Sequence, residues 1–168
     1  MATDALGREW QLSTVQIDFV QPERFKLTYV DKHGERVMPV IIHRAIVGSP
    51  ERFIMILLEH FAGALPLWLS PAQARILPVS DKFTSYGDKV LIALKDAGIR
   101  AEMPEPNETL GKRIREAEIQ KIPYILVVGE KEESSGYVSV RERGKTEQTE
   151  TELAKLISVL EKKVTDRI

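Results

Sequence analysis

An α/β protein in two unequal parts is predicted by three features of the 168-residue sequence. Before about Leu65, apolar residues alternate in strand-like runs that lead into one apolar helix. After it, short apolar runs alternate with stretches of helical period, the pattern of a sheet covered on both faces. Between them, Ala62-Gly63-Ala64-Leu65-Pro66-Leu67-Trp68-Leu69-Ser70-Pro71 carries the Gly and Pro punctuation of a boundary.

In the first part, Trp10, Leu12, Val15, Ile17 and Phe19 mark a strand over 10–19 with a phase slip at Ser13-Thr14, the signature of a bulge. Runs at Phe25 to Val30 and Val37 to Val47 are two further strands, joined by the polar, Gly-containing turn Asp31-Lys32-His33-Gly34-Glu35-Arg36. Ser49-Pro50-Glu51 then opens a helix to about Phe61. Ser49 is the N-cap, Pro50 the first helical residue, and Glu51 an acid in the first turn. Three strands and one helix with this many apolar positions leave a sheet face uncovered.

In the second part, strands are expected at Ala74 to Pro78, Ile99 to Met103, Tyr124 to Val128 and Tyr137 to Arg141. Helices are expected at about Asp81 to Ala97, Thr109 to Lys121 and Thr149 to Val164. Tyr124-Ile125-Leu126-Val127-Val128 is apolar throughout, as a strand buried on both faces must be. Gly129 ends it, and Glu130 to Gly136 reads as a solvated hairpin.

Composition excludes several classes of function. Lys and Arg total 24 against 25 Asp and Glu, so nucleic-acid binding has to come from local clusters and not bulk attraction. The absence of cysteine excludes a disulfide framework, a thiolate metal site and a cysteine nucleophile. Met1 to Arg8 lacks a basic segment followed by an apolar stretch, so no signal peptide is expected. The longest apolar run, Phe53 to Leu58, is far short of a membrane span, and a cytoplasmic protein without membrane contact is expected. No Walker or Gly-x-Gly-x-x-Gly pattern and no Ser-His-Asp arrangement stands out.

The run from Gly7-Arg8-Glu9-Trp10-Gln11 to Asp18-Phe19, then Pro22-Glu23-Arg24-Phe25 and Pro39 to Phe53 with His43-Arg44-Ala45 and Ser49-Pro50-Glu51-Arg52-Phe53, resembles the end of the catalytic domain of bacterial threonyl-tRNA synthetases. The resemblance continues through Trp68-Leu69-Ser70-Pro71, Ala97-Gly98-Ile99-Arg100, Gly111 to Glu116 and Ile122-Pro123-Tyr124 into that family's anticodon-binding domain. It implies a partial class II synthetase antiparallel sheet with its motif 3 helix at residues 1–65. A complete α/β/α anticodon-binding domain with a mixed sheet follows at 66–168.

The resemblance also says which residues to watch. Arg52 matches the catalytic motif 3 arginine that pairs with the ATP triphosphate, and a guanidinium beside a helix N-terminus suits a polyanion. A surface ion pair with Glu51 or Glu59 would suit it equally from its position alone. Gln11, Thr14 and Gln16 match strand positions lining the adenylate and threonine pocket, and Gln16 and Ser49 match positions facing the amino acid. An exposed polar strand face is the plainer reading of the same residues. His43 matches one of three zinc ligands. The family's other two lie upstream, so His43 is expected to be metal-free here.

The family uses ATP with Mg and Zn, and this chain alone is expected to bind none of them. Motifs 1 and 2 of a full synthetase would precede Gly7, so the chain is not expected to aminoacylate tRNA by itself.

In the anticodon-binding part, Asn107, Glu132 and Arg141 match positions associated with anticodon recognition. Lys121 stands where arginine is common, keeping the charge without the planar fork. Lys112, Arg113 and Arg115 form a basic stretch that suits phosphates or plain helix solvation. The implied partner is the anticodon loop of threonine tRNA, with an upstream catalytic fragment or a homodimer as protein partners, and no DNA. Two alternatives stand beside this reading: a trans-acting half of a split synthetase, and a repurposed RNA or protein interaction module.

Overall fold

The computed structural model describes residues 1–105 and 107–168. The chain divides into two compact units, Met1–Ala62 and Gly63–Ile168.

The first unit consists of small antiparallel pairs. Strands β1 (Ala2–Thr3) and β2 (Glu9–Trp10) form a short hairpin. The buried Asp4 carboxylate organises its turn, accepting from the Leu6 and Arg8 backbone N–H groups, the Arg8 guanidinium and the Trp10 indole. The single bulged strand expected over 10–19 is instead two strands. After β2 the chain leaves the extended ladder, and β3 (Thr14–Asp18) belongs to a different pair.

The reason lies in hydrogen bonding between them. Leu12 O accepts the Gly48 N–H at 2.7 Å and Gln11 O accepts the Arg52 guanidinium at 3.1 Å, so these carbonyls serve the start of the long helix and the residues just before it, and not a strand partner. A five-residue helix, α1 (Val20–Arg24), interrupts what sequence alone leaves unassigned. The Asp18 carboxylate accepts from the Val20 and Gln21 N–H groups at its start.

Strands β4 (Tyr29–Val30) and β5 (Arg36–Val37) close a hairpin at the expected turn, but the single strand expected over Val37 to Val47 is two, the second belonging to a different pair. Asp31 accepts from the His33 and Glu35 N–H groups, and Gly34 takes φ +81°. Strand β6 (Ile41–Ala45) pairs antiparallel with β3, and α2 (Pro50–His60) follows with Ser49 Oγ accepting the Arg52 N–H at 3.3 Å. Alternation puts Thr14, Gln16 and His43 on one face of the β3–β6 pair. Val15 (65% exposed), Ile17 (62%) and Ile42 (65%) lie on the other, an open apolar face.

The second unit carries nearly all the core. Its elements are β7 (Ala74–Pro78), α3 (Thr84–Asp96), β8 (Ala101–Glu102), α4 (Leu110–Ile119), β9 (Tyr124–Val128), α5 (Glu130–Ser135), β10 (Tyr137–Glu142), β11 (Gln148–Glu152) and α6 (Leu153–Thr165). They build a five-stranded mixed sheet in the order β11-β10-β9-β7-β8, parallel from β9 to β8 and antiparallel on the β10–β11 side.

Both faces of the sheet are covered, so β7 and β9 are buried at every residue. Leu126, Val128, Val138 and Val140 pack with Val90 and Leu94 of α3 and Leu156 and Leu160 of α6. On the other face, Leu77, Ile125 and Val127 pack with Ala117 of α4 and Ile122. The α/β/α layering follows from these two half-cores.

Two expectations fail in this unit. Glu130 to Gly136 is a helix, closed by Gly136 at φ +73°, and not a hairpin. Residues 149–152 belong to edge strand β11 and not to the last helix. There, Thr149 and Thr151 alternate with Glu150 and Glu152 against β10, and pairing outweighs the helical reading of those acids. Among the described residues, no helix is long and apolar enough to cross a membrane.

Candidate functional site

Two groups of residues carry chemistry, one in each unit. In the first unit, Gln11, Thr14, Ser49 and Arg52 line one cleft of about 230 Å³ with Leu12, Ser13 and Gly48. Its geometry follows from the break between β2 and β3, which turns the Gln11 carbonyl toward the Arg52 guanidinium. The Trp10 ring lies 5.5 Å from the Arg52 guanidinium carbon and 5.6 Å from that of Arg8, so the indole holds both cations by its π face. Arg52 is therefore fixed by Trp10 and Gln11, and no ion pair joins it to Glu51 or Glu59 among the described residues. Glu51 instead accepts from Ser49 Oγ at 3.1 Å.

Gln16 and His43 sit opposite each other in the β3–β6 register and line a separate concavity with Asp18 and Gln21. His43 Nε2 lies 3.0 Å from Asp18 Oδ2. The Gln21 N–H and then His43 hold the Asp18 carboxyl below its ordinary value. No set of three His, Cys, Asp or Glu side chains converges among the described residues. The residues around His43 therefore do not fit the three-ligand zinc site that the sequence resemblance implies, and no chemistry is derived through a metal.

In the second unit, the candidates frame the α4 side of the sheet. The segment before α4 carries Asn107, whose side-chain amide lies 3.5 Å from Glu105. The next residue, Glu108, has its carbonyl held by the Arg113 guanidinium, which also donates to the Pro78 carbonyl at the carboxyl end of β7. Glu132 stands at the carboxyl end of the neighbouring strand β9, where Oε2 accepts the Gly129 N–H at 3.0 Å. Asn107 and Glu132 thus share the edge where parallel strands end, the usual crevice for ligands in such sheets.

Arg141 and Lys121 lie toward the opposite end. Arg141 pairs in register with Ile125 at the start of β9 and points its guanidinium to within 3.7 Å of Glu118 on the last turn of α4. Lys121, at φ +58°, begins the connection from α4 to β9, and its carbonyl accepts from Arg143. Between these ends, β10, β11 and α5 carry polar side chains. Ser139 bonds Gln148, and Lys131 pairs with Glu150, whose carboxylate raises the lysine pKa above its ordinary value.

The expected basic stretch is divided by this arrangement. Lys112 pairs with Glu108 at 2.6 Å, Arg113 is buried, and Arg115 alone stays exposed without an ion pair among the described residues. Burial of Arg113 was not legible, since its position three residues after the helix start looks like an ordinary solvated one. Lys131, Ser139 and Gln148 were also missed. The period-two alignment of 137–141 with 148–152 was the signal that could have found the last two.

Comparison with known proteins agrees with both halves of this architecture. Residues 73–163 match the anticodon binding domain family, and residues 1–61 match the tRNA synthetase class II core domain (G, H, P, S and T). The chain belongs to the anticodon-binding-domain family of the tRNA synthetases, carried behind a class II core segment.

Within that class it is similar to the C-terminal region of threonyl-tRNA synthetases. It is 60% identical over 142 residues to the threonine–tRNA ligase of Thermus thermophilus, covering 84% of this chain and 22% of that protein. It is 54% identical over 158 residues to that of Chloroherpeton thalassium, covering 94% and 24%. A threonine–tRNA ligase catalytic subunit from Saccharolobus islandicus is 51% identical over 164 residues, covering 98% and 30%, so relatives occur in both bacteria and archaea. The chain spans less than a third of the length of these relatives.

A crystal structure of the RNA binding domain of threonyl-tRNA synthetase from Cryptosporidium parvum superposes with a TM-score of 0.83 at 40% identity, over 95% of this chain and 41% of that one. A prolyl-tRNA synthetase from the same organism shares the fold, with a TM-score of 0.69 at 20% identity, over 96% and 35%.

Proposed function

We propose that the chain works as the C-terminal part of a threonine–tRNA ligase of the bacterial type, with residues 66–168 reading the anticodon loop of threonine tRNA. Residues 1–65 contribute one wall of a class II active site. The observation that carries the reading is the placement of Asn107 in the segment that Arg113 ties to the carboxyl end of β7, and of Glu132 just past the carboxyl end of β9, with Arg141 and Lys121 near the other end of β9. Identity of 51–60% to threonine–tRNA ligases supports the choice of tRNA.

The chemistry follows from the side chains. Single-stranded loop bases expose their edges, and the Asn107 amide offers both a donor and an acceptor to one of them. Glu132 spends Oε2 on the Gly129 N–H and keeps Oε1 to accept from a base amino group. Arg141, whose contact with Glu118 is a long 3.7 Å, exchanges that partner for a base or a phosphate. Lys121 and Arg115 add sequence-independent attraction to the backbone.

In the first unit, Arg52 holds the polyphosphate of ATP. Trp10 and the Gln11 carbonyl orient its guanidinium, while Gln11, Thr14 and Ser49 line the same cleft on the adenylate side and Gln16 serves the threonine side from the neighbouring concavity. ATP with Mg and Zn belongs to the intact enzyme, and this chain alone retains none of them.

The test is binding of the whole chain to threonine tRNA at two salt concentrations, beside the same tRNA with a changed anticodon. The expected result is a loss of about 1 kcal/mol or more for the changed anticodon, the size of a lost specific contact. Equal, weak binding that vanishes with salt would overturn it.

A second reading, a trans-acting half of a split ligase, draws support from the name "catalytic subunit" carried by the Saccharolobus relative. It predicts that the chain restores aminoacylation when mixed with a separately made upstream part. Binding indifferent to the tRNA would favour an RNA or protein interaction module instead.

A further inference from the structure

The basic stretch at the start of α4 contains one residue that solvation does not explain. Arg113 is 5% exposed, and its guanidinium lies under the loop that carries Asn107. Its Nε donates to the Glu108 carbonyl at 3.1 Å and its Nη2 to the Pro78 carbonyl at 2.7 Å. No carboxylate pairs with it, and Nη1 has no partner, among the described residues. A buried cation satisfied by two backbone carbonyls and no acid is a poor choice for stability alone. What the arrangement provides is position: a planar fork fixes two directions at once, which an ammonium cannot do.

The strut connects the two halves of the proposed recognition edge. Glu108 follows Asn107 directly, so holding its carbonyl sets where Asn107 stands. Pro78 is the last residue of β7, and the next residue, Val79, donates its N–H to Val128 O at 2.9 Å. Gly129 fits closely there, since a Cβ on it would meet Val79 Cγ2 at 3.1 Å and Glu132 Oε2 at 3.3 Å. The path from Asn107 to Glu132 therefore runs along the chain to Glu108, by hydrogen bonds through Arg113 to Pro78, and by the Val79–Val128 backbone bond to Gly129, whose N–H Glu132 accepts.

We propose that Arg113 is a positioning residue for anticodon discrimination, a buried guanidinium that sets Asn107 against Glu132 without touching RNA. The inference rests on the tRNA reading above. Because its side chain is enclosed, Arg113 neutralises no phosphate, which separates it from the exposed Arg115.

The test uses the whole chain, threonine tRNA and the same tRNA with a changed anticodon, over a salt series. Arg113→Met is expected to lower binding of the cognate tRNA by roughly tenfold, the range of one lost base contact, while leaving the changed-anticodon tRNA as in the parent. Arg113→Lys, which keeps the charge and the stem and guards against a failure to fold, is expected to lose part of the same ratio. The slope of log K against log salt stays that of the parent in both. Asn107→Ala added to Arg113→Met causes no further loss, because both act through one contact.

An unchanged ratio in both variants would overturn the inference, as would equal weakening of the two tRNAs. So would a salt slope reduced by about one, the mark of a phosphate contact. If the parent chain itself fails to discriminate, the tRNA reading falls and this inference with it. If the parent discriminates and the variants do so equally, this inference alone falls.

Discussion

Charge placement at single residues decides how this chain responds to acid. Burial pushes the Glu142 carboxyl up, but hydrogen bonds from Lys145, Lys163 and Tyr124 outweigh it and bring the pKa down from 4.5 to about 2. Lys163 Nζ reaches Glu142 at 2.8 Å and Tyr124 Oη at 2.6 Å, joining α6 to β9 and β10. A carboxyl depressed on folding contributes in full above its ordinary value, and the contribution is lost as pH falls toward 2. With the side chain 28% exposed, that amounts to about 2 kcal/mol at neutral pH after allowance for screening. Glu142→Gln should remove it and flatten the pH dependence of thermal unfolding between pH 4.5 and 2, readable by circular dichroism.

Asp4 behaves in the same direction. Burial raises its pKa, while the Trp10 indole and the Arg8 and Leu6 groups bring it from 3.8 to about 2. Trp10 fluorescence should therefore change as pH falls through that window, and Asp4→Asn should remove the transition. At Glu132 the capping role and the proposed reading role are separable. Glu132→Gln retains an oxygen for the Gly129 N–H and should alter anticodon discrimination, whereas Glu132→Ala should also cost about 1 kcal/mol of stability.

The elements are held by local devices, and their energies can be tested one at a time. Ser49→Ala removes the acceptor for the Arg52 N–H and should destabilise α2 by about 1 kcal/mol, seen as a loss of helical signal confined to the first unit. Helix α3 packs on the sheet through Gly87, where a Cβ would lie 2.6 Å from Met103 Sδ and 3.2 Å from Pro78 Cγ. Gly87→Ala should therefore cost about 1–3 kcal/mol by overpacking, and Met103→Ala should recover part of it in a double-mutant cycle.

Legibility at this scale follows the source of each element's stability. β7, β9 and α2 were readable residue by residue, because continuous burial or a Ser-Pro-Glu start marks them in the chain itself. The β2–β3 break, α5 and β11 were not. Each depends on a partner distant in sequence or on a backbone group, namely the Gly48 N–H, the Gly129 N–H and the β10 ladder.

At the scale of the whole molecule the two units differ most in their cores. In residues 1–62 only Asp4, Pro22 and Ile56 are buried, while 63–168 closes two hydrophobic half-cores around a five-stranded sheet. The second unit should keep its cooperative unfolding transition when residues 1–65 are deleted, and a broad, non-cooperative melt would show that cut to be misplaced. Backbone amides of residues 9–60 should exchange far faster than those of β7 and β9, since few of them are shielded by packed side chains. The open face of Val15, Ile17 and Ile42 should drive self-association, measurable by sedimentation. A monodisperse monomer with protected amides throughout 9–60 would contradict both expectations.

The two-part α/β organisation, the buried strands and the capped α2 are legible along the chain. Those are set by periodicity, capping chemistry and motif, all local properties of a chain. Long-range packing, by contrast, buries Arg113 between the Glu108 and Pro78 carbonyls and holds Arg52 with Trp10 and the Gln11 carbonyl. It alone also placed Asn107 and Glu132 on one sheet edge with Arg141 toward the other end. These depend on which carbonyl, ring or strand end lies beside a side chain after distant segments pack, and spacing along the sequence carries no record of that.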